Sequence, residues 1–215
     1  MDRDPWGLRI PAMILDLASM PQPEAYRFMI SALVPRPIGF LSTLSAAGAR
    51  NLAPFSYFMG VSSNPPMVAV SIEARSGGLK HTARNIRETG EFVFNLVVEE
   101  IAEAMNLASG DYPPDVDEFA LTGLTPVASE RVRPPRVAES PVHFECRAVD
   151  VREVGRSPNT LVLGEILVAH VRDDLYLPER GVVDTSRLHA VGRLGGKQYC
   201  RVRDIFEMTR PRVAR

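Results

Sequence analysis

Residues 142–171 read VHFECRAVDVREVGRSPNTLVLGEILVAHV. Two long strand-like runs, Val142–Val154 and Leu161–Val171, flank a turn at Gly155–Asn159. Both are rich in β-branched residues and are bounded by turn formers, as strands of a hairpin should be. Both exceed an average strand of about five or six residues, so they are expected to bend across a barrel, with Gly164 as the yielding point.

Outward from this hairpin the chain reads as further strands with few helices. Ile38–Leu44, Asn51–Ser62, Met67–Glu73, Glu91–Val98 and a last run from about Arg201 to Glu207 are strand-like. Ile38–Leu44 and the run after it form a hairpin around Ser45-Ala46-Ala47-Gly48, and Ser63-Asn64-Pro65-Pro66 breaks the chain before Met67. Apolar residues fall at helical spacing over Pro23–Leu33 and Lys80–Thr89, with Gly90 where a helix-ending glycine belongs. Residues 99–108 read as a short helix, 110–137 as a surface excursion rich in proline and acids, and 173–200 as mostly loop. Strands do not alternate with helices, which argues against a doubly wound parallel sheet. A closed antiparallel barrel decorated with peripheral helices fits best.

The 215 residues suit one domain: an arm at 1–20, a domain at 21–211 and a short tail at 212–215. With 25 basic and 26 acidic residues the formal charge is −1, and no basic stripe marks a nucleic-acid partner. No run approaches the roughly 20 apolar residues of a membrane span. The first residues lack the pattern of a secretory signal. Cys146 and Cys200 are too few for a disulfide framework, so a cytoplasmic, reducing location is expected, with Cys146 a buried free thiol. Lys80 and Lys197 are the only lysines, and arginine supplies every other basic residue.

Nucleotide-domain motifs, HExxH and CxxC are absent, and His81, His143, His170 and His189 are scattered. No catalytic residue can be nominated, and a bound cofactor is expected to do the difficult chemistry. Four segments have the makings of its site. Ser42 and Thr43 place adjacent hydroxyls at a strand end, although such residues are common where strands meet turns. In Asn51-Leu52-Ala53-Pro54-Phe55-Ser56, the proline marks an edge or bulge, and small Ala53 and Ser56 would admit a flat ring. Arg75 and Lys80 flank Gly77-Gly78, and Thr82 opens a helix. The free N–H groups and dipole of that helix favour a phosphate, against the plainer reading of a solvated turn. Glycines near Arg193 and Tyr199 suit a lid or subunit contact.

Taken in order, these segments resemble the flavin reductase-like family of FMN-binding split-barrel flavoproteins. The matching stretches are VPRPIGFLST, NLAPFSYF with SSNPPMVAVSI, KHTARNIRETGEFVFNLV, VDEFALTGLTPVAS, PPRVAESPVHFECR and HAVGRLGGKQYCRV, spanning about Pro21 to Pro211. The resemblance implies a mainly β, Greek-key-like antiparallel split barrel. It also implies a homodimer with FMN near the subunit interface and NADH or NADPH as electron donor. It places Ser42, Thr43, Asn51, Ala53, Pro54 and Ser56 along the flavin. Lys80 and Thr82, with Arg75 and Asn85, would face its phosphate, and Arg193 and Tyr199 would close the site. His81 stands where many relatives carry an acid. The implied activity is NAD(P)H-dependent flavin reduction, with hydride passing to flavin N5 and then electrons to an acceptor such as a monooxygenase or electron-transfer protein. An FMN-holding electron carrier reduced by a protein partner, and a non-enzymatic split-barrel binding module, are the alternatives.

Overall fold

The computed structural model describes residues 13–75 and 78–211. Most of the expected arm, Gly77 of the glycine turn and the 212–215 tail lie outside the described residues. The chain opens with α1 (Gln22–Ala32). It continues through β1 (Gly39–Leu44), β2 (Arg50–Phe55), β3 (Phe58–Ser63), β4 (Pro66–Ile72), α2 (His81–Thr89) and β5 (Glu91–Leu96). After α3 (Ala102–Leu107) and α4 (Glu118–Thr122) come the short strands β6 (Pro126–Val127) and β7 (Arg136–Val137). The long hairpin is β8 (Val142–Val154) and β9 (Asn159–Val171). Three small pieces pair last: β10 (Tyr176–Leu177) with β11 (Val182–Val183), and β12 (Val191–Arg193) with β13 (Tyr199–Arg201).

Seven strands form one antiparallel sheet in the order β2-β1-β5-β8-β9-β4-β3. Its two edge strands, β2 and β3, are consecutive in the chain and pair with opposite ends of the sheet. The sheet therefore curls upon itself, and Phe58 of β3 stacks on Phe94 of β5 at 4.8 Å. This is the antiparallel split barrel expected from the sequence. One expectation is corrected here: Asn51–Ser62 is not one strand but two, divided at Ser56-Tyr57, where the chain leaves one edge of the barrel for the other.

Strand alternation sends neighbouring residues to two apolar layers. Inside the barrel, Leu41, Phe92, Phe94, Val70, Ile72 and Cys146 pack together, and Ala83 and Ile86 of α2 join them. Burial raises the Cys146 thiol pKa far above its ordinary value, as expected of an inert core cysteine. Outside the barrel wall, Phe40 and Leu52 meet Met105, Phe119 and Val137. Gly164 serves packing: a Cβ there would lie 2.4 Å from the ring of Phe92. Gly90 takes the left-handed conformation (φ 70°) that ends α2.

Residues 110–137 are more than a surface excursion. Asp117 caps α4 by accepting the Phe119 N–H at 3.1 Å, and Phe119, Leu124 and Val137 are buried in the outer layer. The strand expected over about 201–207 is not formed: the last strand, β13, lies before it at Tyr199–Arg201, and Ile205, Phe206 and Met208 beyond it are exposed.

Candidate functional site

The β1–β2 hairpin places Thr43 directly across from Asn51. Asn51 Nδ2 donates to Thr43 Oγ1 at 3.1 Å and to Thr82 Oγ1 at 2.9 Å, and Asn85 Nδ2 donates to Thr43 Oγ1 at 3.0 Å. All four residues are buried. This knot docks the start of α2 against the hairpin and fixes where the first turn of that helix points. Ser42 is equally buried and donates its hydroxyl to the Pro135 carbonyl.

In front of the knot runs a cleft. One end is a small polar recess lined by Asn51, Ala53, Pro54, Arg75, Lys80, His81 and Thr82. Lys80 occupies the N-cap position of α2 and gives no side-chain cap, so the N–H groups of the first turn lack that partner. Its ammonium makes one distant ion pair, 3.9 Å from exposed Asp111. Arg75 Nη2 donates to His81 Nε2 at 2.9 Å, which requires that nitrogen to be unprotonated. Burial and the charges of Arg75 and Arg84 hold the His81 pKa below its ordinary value and keep the ring in that state. His81 thus orients an arginine at the recess. Glu118 also lines this end: its carboxylate accepts the Leu52 N–H at 3.0 Å, and burial raises its pKa.

The cleft widens past Pro54 and Ser56 into a cavity of about 350 Å³, which also touches Lys80, Tyr26, Asn106, Arg193 and Tyr199. The Arg193 guanidinium lies 4.4 Å over the Tyr199 ring, and the Tyr199 hydroxyl donates to Asn106 Oδ1 at 3.1 Å. Buried Arg36 ties this end together. Its Nη2 donates to the Leu194 carbonyl at 2.9 Å, its Nη1 to carbonyls at the end of α1, and its Nε to Ser56 Oγ at 3.4 Å.

The cleft therefore gathers Asn51, Ala53, Pro54, Ser56, Arg75, Lys80, Thr82, Arg193 and Tyr199 from segments far apart in sequence. Thr43 and Asn85 lie behind it in the knot, and Ser42 faces Pro135. Arg36, Asn106 and Glu118 belong to the site or its frame without having been singled out in the sequence. Asn106 sits on a short helix with no motif around it, and Glu118 lies in the quoted VDEFALTG stretch, whose resemblance assigned it no role. The Pro35-Arg36-Pro37 setting was the one local sign that Arg36 is held in place.

The sequence model described as flavin reductase like domain matches residues 31–187. An uncharacterized protein of Halalkalibacterium halodurans is 37% identical over 94% of this chain and 98% of its own length. Among solved structures, nitrilotriacetate monooxygenase component B from Bacillus cereus superposes with a TM-score of 0.88 at 31% identity, covering 93% of this chain and all of that one. The 2-nitrobenzoate 2-nitroreductase of Pseudomonas fluorescens gives 0.84 at 28% identity, over 93% of this chain and 96% of that one.

Proposed function

Because the chain belongs to the flavin reductase-like family, we propose that it binds FMN in the cleft and works as an NAD(P)H-dependent flavin reductase. The observation that carries this reading is the recess at the start of α2. Two cations, Arg75 and Lys80, and the uncapped first turn of a helix converge there, a donor set that suits a phosphate monoester. Next to it, Ala53 and Pro54 at the end of edge strand β2, and Ser56 just beyond it, carry small side chains, which suits a flat ring system. When bound, FMN supplies hydride chemistry, accepting two electrons from NADH or NADPH and passing them to an acceptor.

The chain's own part is to bind and orient. Lys80 and Arg75 neutralise the phosphate, and His81 keeps Arg75 aimed. The knot of Thr43, Asn51, Thr82 and Asn85 holds the helix start against β2. On the wide side, Asn106 fixes the Tyr199 hydroxyl while Arg193 stacks on the Tyr199 ring. No side-chain acid or base is required.

The same reading makes the protein a homodimer. α1 contains no buried residue and exposes Tyr26, Phe28 and Met29, and Leu33 just after it is exposed too. An 11-residue helix is marginal without packing, so a second copy covering this face accounts for it. Since Tyr26 also borders the cleft, the subunit contact and the flavin site adjoin. The acceptor is a monooxygenase or another electron-transfer protein, in keeping with the likeness to a monooxygenase component B. A cytoplasmic setting fits the unpaired Cys146 and Cys200, and among the described residues no helix is long and apolar enough to cross a membrane.

The test is the visible spectrum of the purified protein with FMN, followed by air-free addition of NADH or NADPH. A yellow protein that bleaches with either nucleotide is expected. A flavin-loaded protein that neither nucleotide reduces would overturn the reductase reading in favour of a carrier reduced by another protein. Failure to bind FMN at all would overturn both in favour of a non-enzymatic module.

A further inference from the structure

Beside the proposed flavin cleft lies a larger space of about 710 Å³. The two are continuous, sharing Met105, Asn106, Arg193 and Tyr199. Its floor is apolar, made by Met105 and Val191, and its outer wall is the β12–β13 hairpin. The charges around it are unevenly matched. Glu99 is satisfied by Arg201 at 2.7 Å and Arg203 at 2.6 Å. Arg193 uses Nη2 on the Gly196 carbonyl at 2.5 Å and stacks on Tyr199, and no carboxylate pairs with it among the described residues. Lys197, exposed at the tip of the hairpin, forms no ion pair among those residues either. Glu103, from α3, is the one unpaired acid lining the cavity among the described residues, so the unpaired charge remains positive.

Two cations without carboxylate partners among the described residues, above an apolar floor, suit a small organic molecule with an apolar body and an anionic end. We propose that this cavity binds the anionic end of the second reactant, a carboxylate- or phosphate-bearing organic molecule, with Lys197 and Arg193 as its charge partners. The inference rests on the proposed flavin chemistry, since the shared wall at Arg193 and Tyr199 would bring such a molecule to the edge of the flavin cleft. It gives a role to the second of the chain's two lysines, which the flavin reading leaves idle.

The test uses FMN-loaded protein and calorimetric titration at low salt with two probes, NAD+ for a phosphate-bearing reactant and benzoate for a carboxylate. At least one probe should bind the wild type. Lys197→Glu should weaken that probe about tenfold, an effect that shrinks as salt is added, while FMN affinity stays within about twofold. Lys197 is exposed, so the variant is expected to fold, and FMN loading checks this directly. The inference is overturned, with the flavin reading intact, if neither probe binds, if Lys197→Glu binds the probe as the wild type does, or if the variant loses FMN and probe together. A wild-type protein that never loads FMN overturns both. Which probe responds tells a nicotinamide donor from a carboxylate acceptor.

Discussion

The knot of Thr43, Asn51, Thr82 and Asn85 and the cleft before it are built from neighbouring residues of the same segments, yet they treat polar groups in opposite ways. In the knot, three side-chain hydrogen bonds of 2.9–3.1 Å join four buried residues. In the cleft, Lys80 has only a distant surface carboxylate among the described residues, Arg193 has no carboxylate among them, and the first turn of α2 has no side-chain cap. A buried polar group with partners stabilises one arrangement, whereas cations and N–H groups without them are prepared for something else. The contrast separates scaffold from binding surface where residue type alone does not, since threonine and asparagine serve on both sides.

The strongest test of the contrast is Thr43→Val, which keeps the shape and removes the acceptor shared by two asparagine amides. Leaving two buried donors unmatched should cost about 2–4 kcal/mol of stability, read by urea denaturation. The FMN dissociation constant of the folded protein should stay nearly constant. A markedly weakened constant would break the contrast and return Thr43 to the flavin, as the family resemblance implies.

Lys80→Ala probes the other side. Its ion pair is long and partly exposed, so denaturation should barely change. FMN binding should weaken by roughly 1.5–3 kcal/mol, the worth of a charged hydrogen bond. Riboflavin, which lacks the phosphate, should bind wild type and variant alike. Equal losses for both flavins would move Lys80 away from the phosphate.

Much of this was legible in the sequence because it is local. The 142–171 hairpin declares itself by length and turn residues, and α2 by its spacing, its closing Gly90 and the lysine at its start. What the sequence hid depends on partners far along the chain. Ser42 and Thr43 look like ligand hydroxyls, but their partners are Pro135 and Asn85, 93 and 42 residues away. The split at Ser56-Tyr57 carries no breaker, because it is imposed by the curl of the sheet rather than by the residues there. Asp117 and Phe119 lie in the quoted VDEFALTG stretch, yet the proline- and acid-rich composition of 110–137 as a whole reads as surface, which hides a capping aspartate and a core aromatic.

Glu118 stands on the border between the two regions, and its substitution should have the smallest effect and the most informative sign. It is buried like a knot residue and accepts the Leu52 N–H, yet it lines the same recess as Arg75 and Lys80. Glu118→Gln keeps an acceptor for Leu52 and removes the charge. Because burial raises the carboxyl pKa, the folded state favours the neutral acid, and wild-type stability is lost as pH rises through the ordinary glutamate range and beyond. The glutamine variant should therefore match the wild type in acid and be slightly more stable at neutral pH. At neutral pH it should also bind FMN about two- to fivefold more tightly, since a carboxylate no longer opposes the phosphate across the recess. Riboflavin affinity should not change. If FMN instead binds more weakly, the carboxylate belongs to the scaffold that shapes the recess, and the border falls on the far side of β2.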